Sequence, residues 1–522
     1  MLLKAANRKP AANSALLIFA KTSAFLSSVK QLASQTIWYG VSSIGARFIS
    51  YLLTPYLTAV MTKADYGKMG LVYAALPLLN VLFTYGMETT YFRFAQQENR
   101  QTLYNTVSIS LLTSTLFLSV VLWLFRNELA RFAGLPEYPG LIKLSIAIIA
   151  LDTLSRMPFA KLRQEGRPVK FAFVSLSSIL LNIGLTYFFL SYCHKTLLAN
   201  HHSWVGLFYD PHLNPVVYVV VANVVQSAFI LLLLWKEFIS FEWKFDAGLW
   251  KTMMIYSLPL IVAGFGGMIN ETLDRLMLKW WVPGTEKYKN EQVGVYNACY
   301  KLSILITLFV QAFRMGAEPF FFKQAGTQNQ KFTYARVMKF FVITITVMFL
   351  VVSLFIVIWR HFIDAKHWEG LRVVPILLLA NMFLGIYYNL SIWYKLGHKT
   401  TAGATITMIG AGITLLVNSL LIPFYSYMAC AWATFFCYTS MMVISYVWGQ
   451  KRYPVPYAWK KLLAYIVIVV LIYFLHRAFI FLIPGDLFSI ASGLLLLGAY
   501  GLFILRIERN EFRRLPVIGK YI

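Results

Sequence analysis

Apolar runs of about twenty residues recur along the whole chain, each closed by a short polar or charged segment. That is the length that carries a helix across the hydrocarbon core of a bilayer. Fourteen runs are predicted as spans: 33–60, 67–92, 103–125, 139–160, 169–192, 215–235, 251–281, 292–317, 334–358, 371–394, 401–422, 424–447, 458–482 and 487–507. Pro423 marks the split between the eleventh and the twelfth. Two runs share an ending. Gly86-Met87-Glu88-Thr89-Thr90-Tyr91-Phe92-Arg93 closes the second and Gly316-Ala317-Glu318-Pro319-Phe320-Phe321-Phe322-Lys323 the eighth, both reading Gly-x-Glu-x-x-aromatic-Phe-basic. These runs also open alike, with Asp65-Tyr66-Gly67 and Gln292-Val293-Gly294. The pattern predicts an all-α polytopic membrane protein of about 14 transmembrane helices, built from two copies of one unit.

Composition leaves little room for another class. The 522 residues are 59% hydrophobic and only 13% charged, whereas a soluble protein carries about a quarter charged residues. A single aqueous core cannot absorb that surplus, because such cores stop growing at about 250–300 residues. A formal charge of +26 would suggest nucleic acid in a soluble chain; among membrane spans it reads as topology. With both termini cytoplasmic, inner segments hold about 29 Lys and Arg against about 13 outside. Residues 1–30 read as a cytoplasmic or interfacial arm, since the apolar patch at 15–20 is short for a secretory signal. The four cysteines (Cys193, Cys299, Cys430, Cys437) are scattered without a Cys-x-x-Cys pair, so no disulfide framework or zinc site is expected. The longest outer loop, 192–214, holds His194, His201, His202 and His212. Their spacing favours a solvated loop over a metal site. No metal and no cofactor is expected, apart from a coupling cation, H+ or Na+.

Charges at membrane depth each need a reason, since one at mid-bilayer costs about 2.5–3.5 kcal/mol on insertion scales. The spans hold Arg47, Glu88, Asp152, Arg156, Glu271, Asp274, Arg275, Lys301, Arg314 and Glu318. Asp152/Arg156, Glu271/Arg275 and Arg314/Glu318 sit four apart, on one helix face. They are either structural ion pairs or the charged walls of an aqueous cavity. Arg47 has no local acid, which favours the cavity. Glu88 and Glu318 lie near inner ends, where a carboxylate either snorkels to the interface or serves as a protonatable site. Pro259, followed by Gly264, Gly266 and Gly267 just before Glu271, marks a hinge candidate in the seventh span. Asn182, Asn223, Gln226, Asn381, Asn389 and Asn418 read mostly as interhelical hydrogen-bond donors, with a minority facing substrate. Tyr387 and Tyr388 are an aromatic pair of the kind that stacks on sugar rings.

The chain resembles the multidrug/oligosaccharidyl-lipid/polysaccharide exporter superfamily, and within it the polysaccharide transport branch of Wzx-type flippases. The resemblance is carried by Thr54-Pro55-Tyr56-Leu57 through Asp65-Tyr66-Gly67, by Tyr256-Ser257-Leu258-Pro259, by Asp274-Arg275 and by Val293-Gly294-Val295-Tyr296. It implies two pseudo-symmetric six-helix bundles around a central cavity, here 31–243 and 244–450. Two peripheral helices over 451–507 and a basic cytoplasmic tail over 508–522 follow. It also implies a flippase in the bacterial inner membrane, not an enzyme. Its substrate would be undecaprenyl-diphosphate-linked oligosaccharide (an O-antigen, capsule or exopolysaccharide repeat unit), moved to the outer leaflet by alternating access. Arg47, Arg156, Arg275, Lys301 and Arg314 are then the diphosphate-facing candidates, and Glu88, Asp152, Glu271, Asp274 and Glu318 the ion-coupling candidates. The partners implied are the lipid-linked oligosaccharide, the bilayer and a polysaccharide-assembly polymerase, with no nucleic acid. Two alternatives stay open: a cation-coupled multidrug exporter of the same superfamily, and a membrane-embedded glycan polymerase or ligase.

Overall fold

The computed structural model describes residues 44–95, 98–199, 204–326, 328–397 and 399–513. The arm at 1–30, the start of the first predicted span, His201, His202 and the end of the tail lie outside the described residues. Each of the fourteen predicted spans is matched by helix. Residues 44–60 are helical apart from a turn at 52–53 (α1). Then follow α2 (Lys63–Thr84), α3 (Arg100–Leu124), α4 (Pro139–Gln164), α5 (Pro168–Tyr187), α6 (Pro215–Leu233) and α7 (Ala247–Trp281). The second half holds α8 (Glu286–Gln324), α9 (Gln330–Ser353), α10 (Val374–Leu390), α11 (Thr400–Tyr425), α12 (Tyr427–Arg452), α13 (Trp459–Leu482) and α14 (Asp486–Ile507). Among the described residues, 12 helices are long and apolar enough to cross a membrane. The helix α4 falls outside that group; it carries Lys143, Asp152, Arg156, Lys161 and Arg163.

The helix starts follow local chemistry. Thr62 caps α2 by accepting from the Asp65 amide, Asn99 caps α3 through Gln101 and Thr102, and Asp246 caps α7 through Leu249. Proline occupies the first turn of α4, α5 and α6, where its missing N–H costs nothing.

Two features differ from the sequence expectation. The turn between α11 and α12 falls at Ser426 (φ 49°), not at Pro423, which stays inside α11. The Ser426 hydroxyl donates to Gln292 at 2.7 Å, which ties the turn to the start of α8. The two Gly-x-Glu motifs also part company. Tyr85 and Gly86 are both left-handed (φ 32° and 73°) and break the chain into α2 and a short helix, Met87–Phe94. Gly316 lies inside the unbroken α8 with open space around its Cα. The break is held by packing: the Tyr85 hydroxyl bonds Ser110 at 2.7 Å, and its ring joins a cluster with Met87, Tyr104 and Met253. The helix α7, which opens the second half, packs on both halves. The first half of α7 lies on the first bundle, where Trp250 Nε1 donates to Ser110 at 2.9 Å and Gly264 abuts Val81. From Gly266 onward α7 packs on α11, with Asn270 Nδ2 donating to the Thr407 carbonyl at 3.1 Å.

The two halves meet about a local twofold axis. A Cβ on Gly67 would overlap the carbonyl oxygen of Asn290, and a Cβ on Gly294 would overlap that of Lys63. Each glycine thus meets the carbonyl four residues before the other, so α2 and α8 cross backbone to backbone. α13 and α14 pack mainly against α9, at the periphery.

Candidate substrate chamber

The α2–α8 crossing shuts one end of the molecule. Around it, Lys63 pairs with Glu369 at 2.8 Å, Lys366 Nζ donates to the Ala59 carbonyl at 3.2 Å, and the Tyr51 and Phe362 rings stack at 4.3 Å. All three contacts join the first half to the segment between α9 and α10.

Below this seam lie two adjoining chambers. The larger, of about 650 Å³, sits inside the first half between α1, α2, α4, α5 and α6, and reaches Glu88 and Arg163 at the opposite end. The smaller, of about 340 Å³, lies between the halves and is lined by Arg47 of α1, Glu271 of α7 and Tyr300 and Gln311 of α8. Ser50, Ile179 and Lys301 line both, so the Lys301 side chain stands at their junction.

The charged candidates divide into three groups. Arg47 and Lys301 face the smaller chamber without a carboxylate partner among the described residues; Arg47 Nη1 donates only to the neutral Gln311 Oε1, at 2.8 Å. Glu271 faces the same space, and among the described residues its carboxylate has no ion pair. Asp152 and Arg156 face the larger chamber without bonding each other. Asp152 Oδ1 accepts from Ser227 at 2.7 Å, and Arg156 lies 3.9 Å from Glu88. Of the two readings of that pair, the chamber wall is the one the geometry supports.

The second group is paired. Glu88 is bound by Arg163, from the last turn of α4. In the second half, Glu318 on α8 is bound by Lys395 at 2.6 Å, from a short helix after α10, with Arg314 at 3.6 Å. Each carboxylate reaches a cation two spans on, so the ion pairs repeat along with the fold. Neither Arg163 nor Lys395 was a site candidate by sequence, because both sit just past a span. The signal for Arg163 was its distance from Arg156: two helical turns, on one face.

The third group lies away from both chambers. Arg275 is buried and lines neither chamber. Its Nη1 donates to Asp274 at 3.0 Å and to the Glu271 carbonyl at 2.6 Å, with the guanidinium 4.2 Å from the Tyr300 ring centre. Asp274 also accepts from the Tyr296 hydroxyl at 2.6 Å. Four apart on one helix had suggested a Glu271–Arg275 side-chain pair, but the adjacent Asp274 is the carboxylate that binds the arginine. Arg314 stacks on Tyr388 at 4.9 Å, whereas Tyr387 is buried and bonds Tyr394 at 3.1 Å. Asn182, Asn223 and Gln226 all line the larger chamber. In the histidine loop, His194 Nδ1 lies 3.2 Å from the Tyr209 hydroxyl.

Residues 32–325 match the model of a family described as "Polysaccharide biosynthesis protein". Two proteins of Haemophilus influenzae are similar at 19% identity. One is named "Lsg locus putative protein 1" (69% of this chain and 83% of that protein), the other "Uncharacterized membrane protein" (70% and 83%). Among solved structures, "Lipid II flippase MurJ, inward closed conformation" is similar in fold, with a TM-score of 0.66 at 12% identity over 90% of this chain and 99% of that one. An outward-facing "multidrug resistance MATE family transporter of the MOP superfamily" follows, with a TM-score of 0.55 at 12% identity over 81% and 95%. Fold and family match agree on a multi-pass membrane protein with the fold of the MurJ and MATE structures. The chain belongs to the polysaccharide biosynthesis protein family.

Proposed function

We propose that the protein is a flippase that moves an undecaprenyl-diphosphate-linked oligosaccharide from the cytoplasmic to the outer leaflet of a bacterial inner membrane. The observation that carries this reading is the pair of cations, Arg47 and Lys301, that line the chamber between the halves without a carboxylate partner among the described residues. A diphosphate crossing about 30 Å of hydrocarbon must exchange its hydration for comparable contacts. Guanidinium and ammonium groups supply them as charge-assisted hydrogen bonds. The polyprenyl tail stays in lipid while the head passes between the bundles.

With both termini cytoplasmic, the α2–α8 seam lies on the outer side and the Glu88–Arg163 end faces the cytoplasm. The described state is then inward-facing, ready to receive the head group. Rocking that parts the seam and closes the Glu88–Arg163 end would expose the chambers to the other side. Among the sequence candidates, Glu271 is the carboxylate best placed to couple this motion to H+ or Na+. It faces the smaller chamber, lacks an ion pair among the described residues, and lies on α7 beyond Pro259.

Leaflet exchange of a labelled lipid-linked oligosaccharide in reconstituted vesicles tests the proposal. A charge-assisted bond contributes about 1.5–3 kcal/mol, so Arg47→Ala and Lys301→Met should each slow exchange about ten- to hundredfold at limiting substrate. Unaltered exchange in both variants would overturn the assignment. Drug sensitivity without loss of surface polysaccharide, in cells lacking the protein, would instead favour a multidrug exporter.

A further inference from the structure

His367 is a buried titratable group that lines neither chamber. It lies in the segment between α9 and α10, two residues from Glu369, the seam partner of Lys63. Neither of its ring nitrogens has a hydrogen-bond partner among the described residues. The ring rests instead against Tyr66 of α2, the residue before Gly67 at the crossing, with 5.5 Å between ring centres. Its backbone is fixed on its own half. The amide donates to the Asp364 carbonyl at 3.0 Å, and the carbonyl accepts from Cys299 Sγ of α8 at 3.3 Å. The imidazole is thus anchored in the second half and covered by the first. A buried polar ring without a partner is uncommon and costly; an apolar side chain would suit the place better.

Among the described residues around it, no group is free to balance a charge on the ring. Of the carboxylates, Glu369 is held by Lys63 at 2.8 Å, and Asp364 accepts from the Lys366 amide at 3.1 Å, with Lys366 Nζ 3.9 Å away. Lys63 and Lys366 both oppose a further positive charge at His367, and Arg372 is another cation of the same segment. The other titratable neighbours supply no counter-charge. Tyr66 and Cys299 are buried, Tyr51 of α1 stacks on Phe362, and Tyr427 of α12 reaches the Glu369 carbonyl at 3.3 Å. His361 packs on Trp368, and Arg360 turns away to Asp486. The first turns of α10 hold no titratable residue. The site therefore fits a neutral imidazole, and an imidazolium would be buried there without a counter-ion.

Resting on the rocking motion described above, we propose that His367 is a proton-binding site of the outer seam, which takes a proton only when the halves part and holds the seam open while it keeps it. When Tyr66 withdraws with α2, water reaches both ring nitrogens and hydrates the imidazolium. Closing the seam again requires the proton to leave. The parted state binds the proton and the closed state does not, so falling pH favours parting. With an ordinary imidazole value of about 6.5 in the parted state, the ratio of parted to closed molecules should rise about thirtyfold between pH 7.5 and pH 5.0. An acidic outer face would thereby hold the carrier open towards the side on which the head group leaves.

The test uses the full chain in vesicles, with spin labels on Leu213→Cys and Phe424→Cys, exposed positions at the outer ends of the two halves. The four native cysteines are buried and stay unlabelled. Pulsed electron resonance at pH 7.5 and pH 5.0, with and without a lipid-linked oligosaccharide, gives the ratio of long to short distances. With His367 in place, the long-distance population should grow at pH 5.0 by the factor above. In His367→Phe and in His367→Gln, which keep a side chain of similar size but cannot titrate, the ratio should no longer follow pH. A ratio that ignores pH with His367 in place, or that follows it equally in a variant that folds, would overturn the proposal and leave the histidine a packing residue; the rocking motion would stand. If no long distance appears at either pH, with or without the oligosaccharide, the rocking motion falls and the proposal with it.

Discussion

Glu508, at the end of α14, is almost fully buried, yet it accepts from Lys461 and the Tyr465 hydroxyl at 2.6 Å and from Lys339 at 3.1 Å. Burial by itself raises its carboxyl, but these hydrogen bonds outweigh burial and hold it below the ordinary glutamate range. A group depressed in the folded state contributes stability that is present above its unfolded value and lost as pH falls through the folded one. The melting temperature in detergent should therefore hold between pH 7 and 5 and decline below about pH 4.3, with a shallower decline in Glu508→Gln. At neutral pH that variant should lose about 1–2 kcal/mol, discounted because both lysines are partly exposed; an unchanged acid profile would show that the cluster is not an anchor. Single residues were legible where energy alone singled them out. Lys301 and Arg47 stand out because an isolated charge in a span demands water or a partner. Which way a charge points was not legible: Arg275, also a charge within a span but with acids close by in sequence, turns into protein, where Asp274 binds it and Tyr300 lies under its guanidinium.

Among the elements, the α2–α8 crossing makes the firmest prediction. Backbones this close leave no room for a side chain at Gly67 or Gly294, so Gly67→Val or Gly294→Val should wedge the seam open. With cysteines at positions 63 and 369, whose native side chains pair at 2.8 Å, disulfide yield should fall at least tenfold in either valine variant. Equal yield would mean that the seam tolerates separation. The like openings of these two spans were visible in the sequence, but that the two glycines touch was not, since nothing local reports on the crossing of distant helices. Elements also departed from their shared motif. Gly86 and Gly316 occupy the same place in the repeat, yet only the first breaks its helix, because Tyr85 has Ser110 to bond and a buried cluster to enter. At the end of α11, proline was the expected breaker, but Pro423 lies within the last turn, and the reversal waits for Ser426 and its bond to Gln292.

For the whole molecule, the count of spans and the duplication came through clearly in the sequence, because apolar length and a repeated motif survive without any knowledge of packing. The course of α7 across both halves did not. The reciprocal glycine contact has one more consequence. At the crossing each side presents a glycine to the carbonyl four residues before the other's glycine, which is the isologous geometry of a symmetric homodimer. The single chain thus has the interface that two separate half-length polypeptides would use, reinforced by the arm that α7 lends to its neighbour. Cutting the chain in the linker at 239–245 and co-expressing the pieces should yield a complex that co-purifies from membranes and restores surface polysaccharide. Pieces that insert but fail to find one another would show that the covalent link, and not the seam, holds the halves in register.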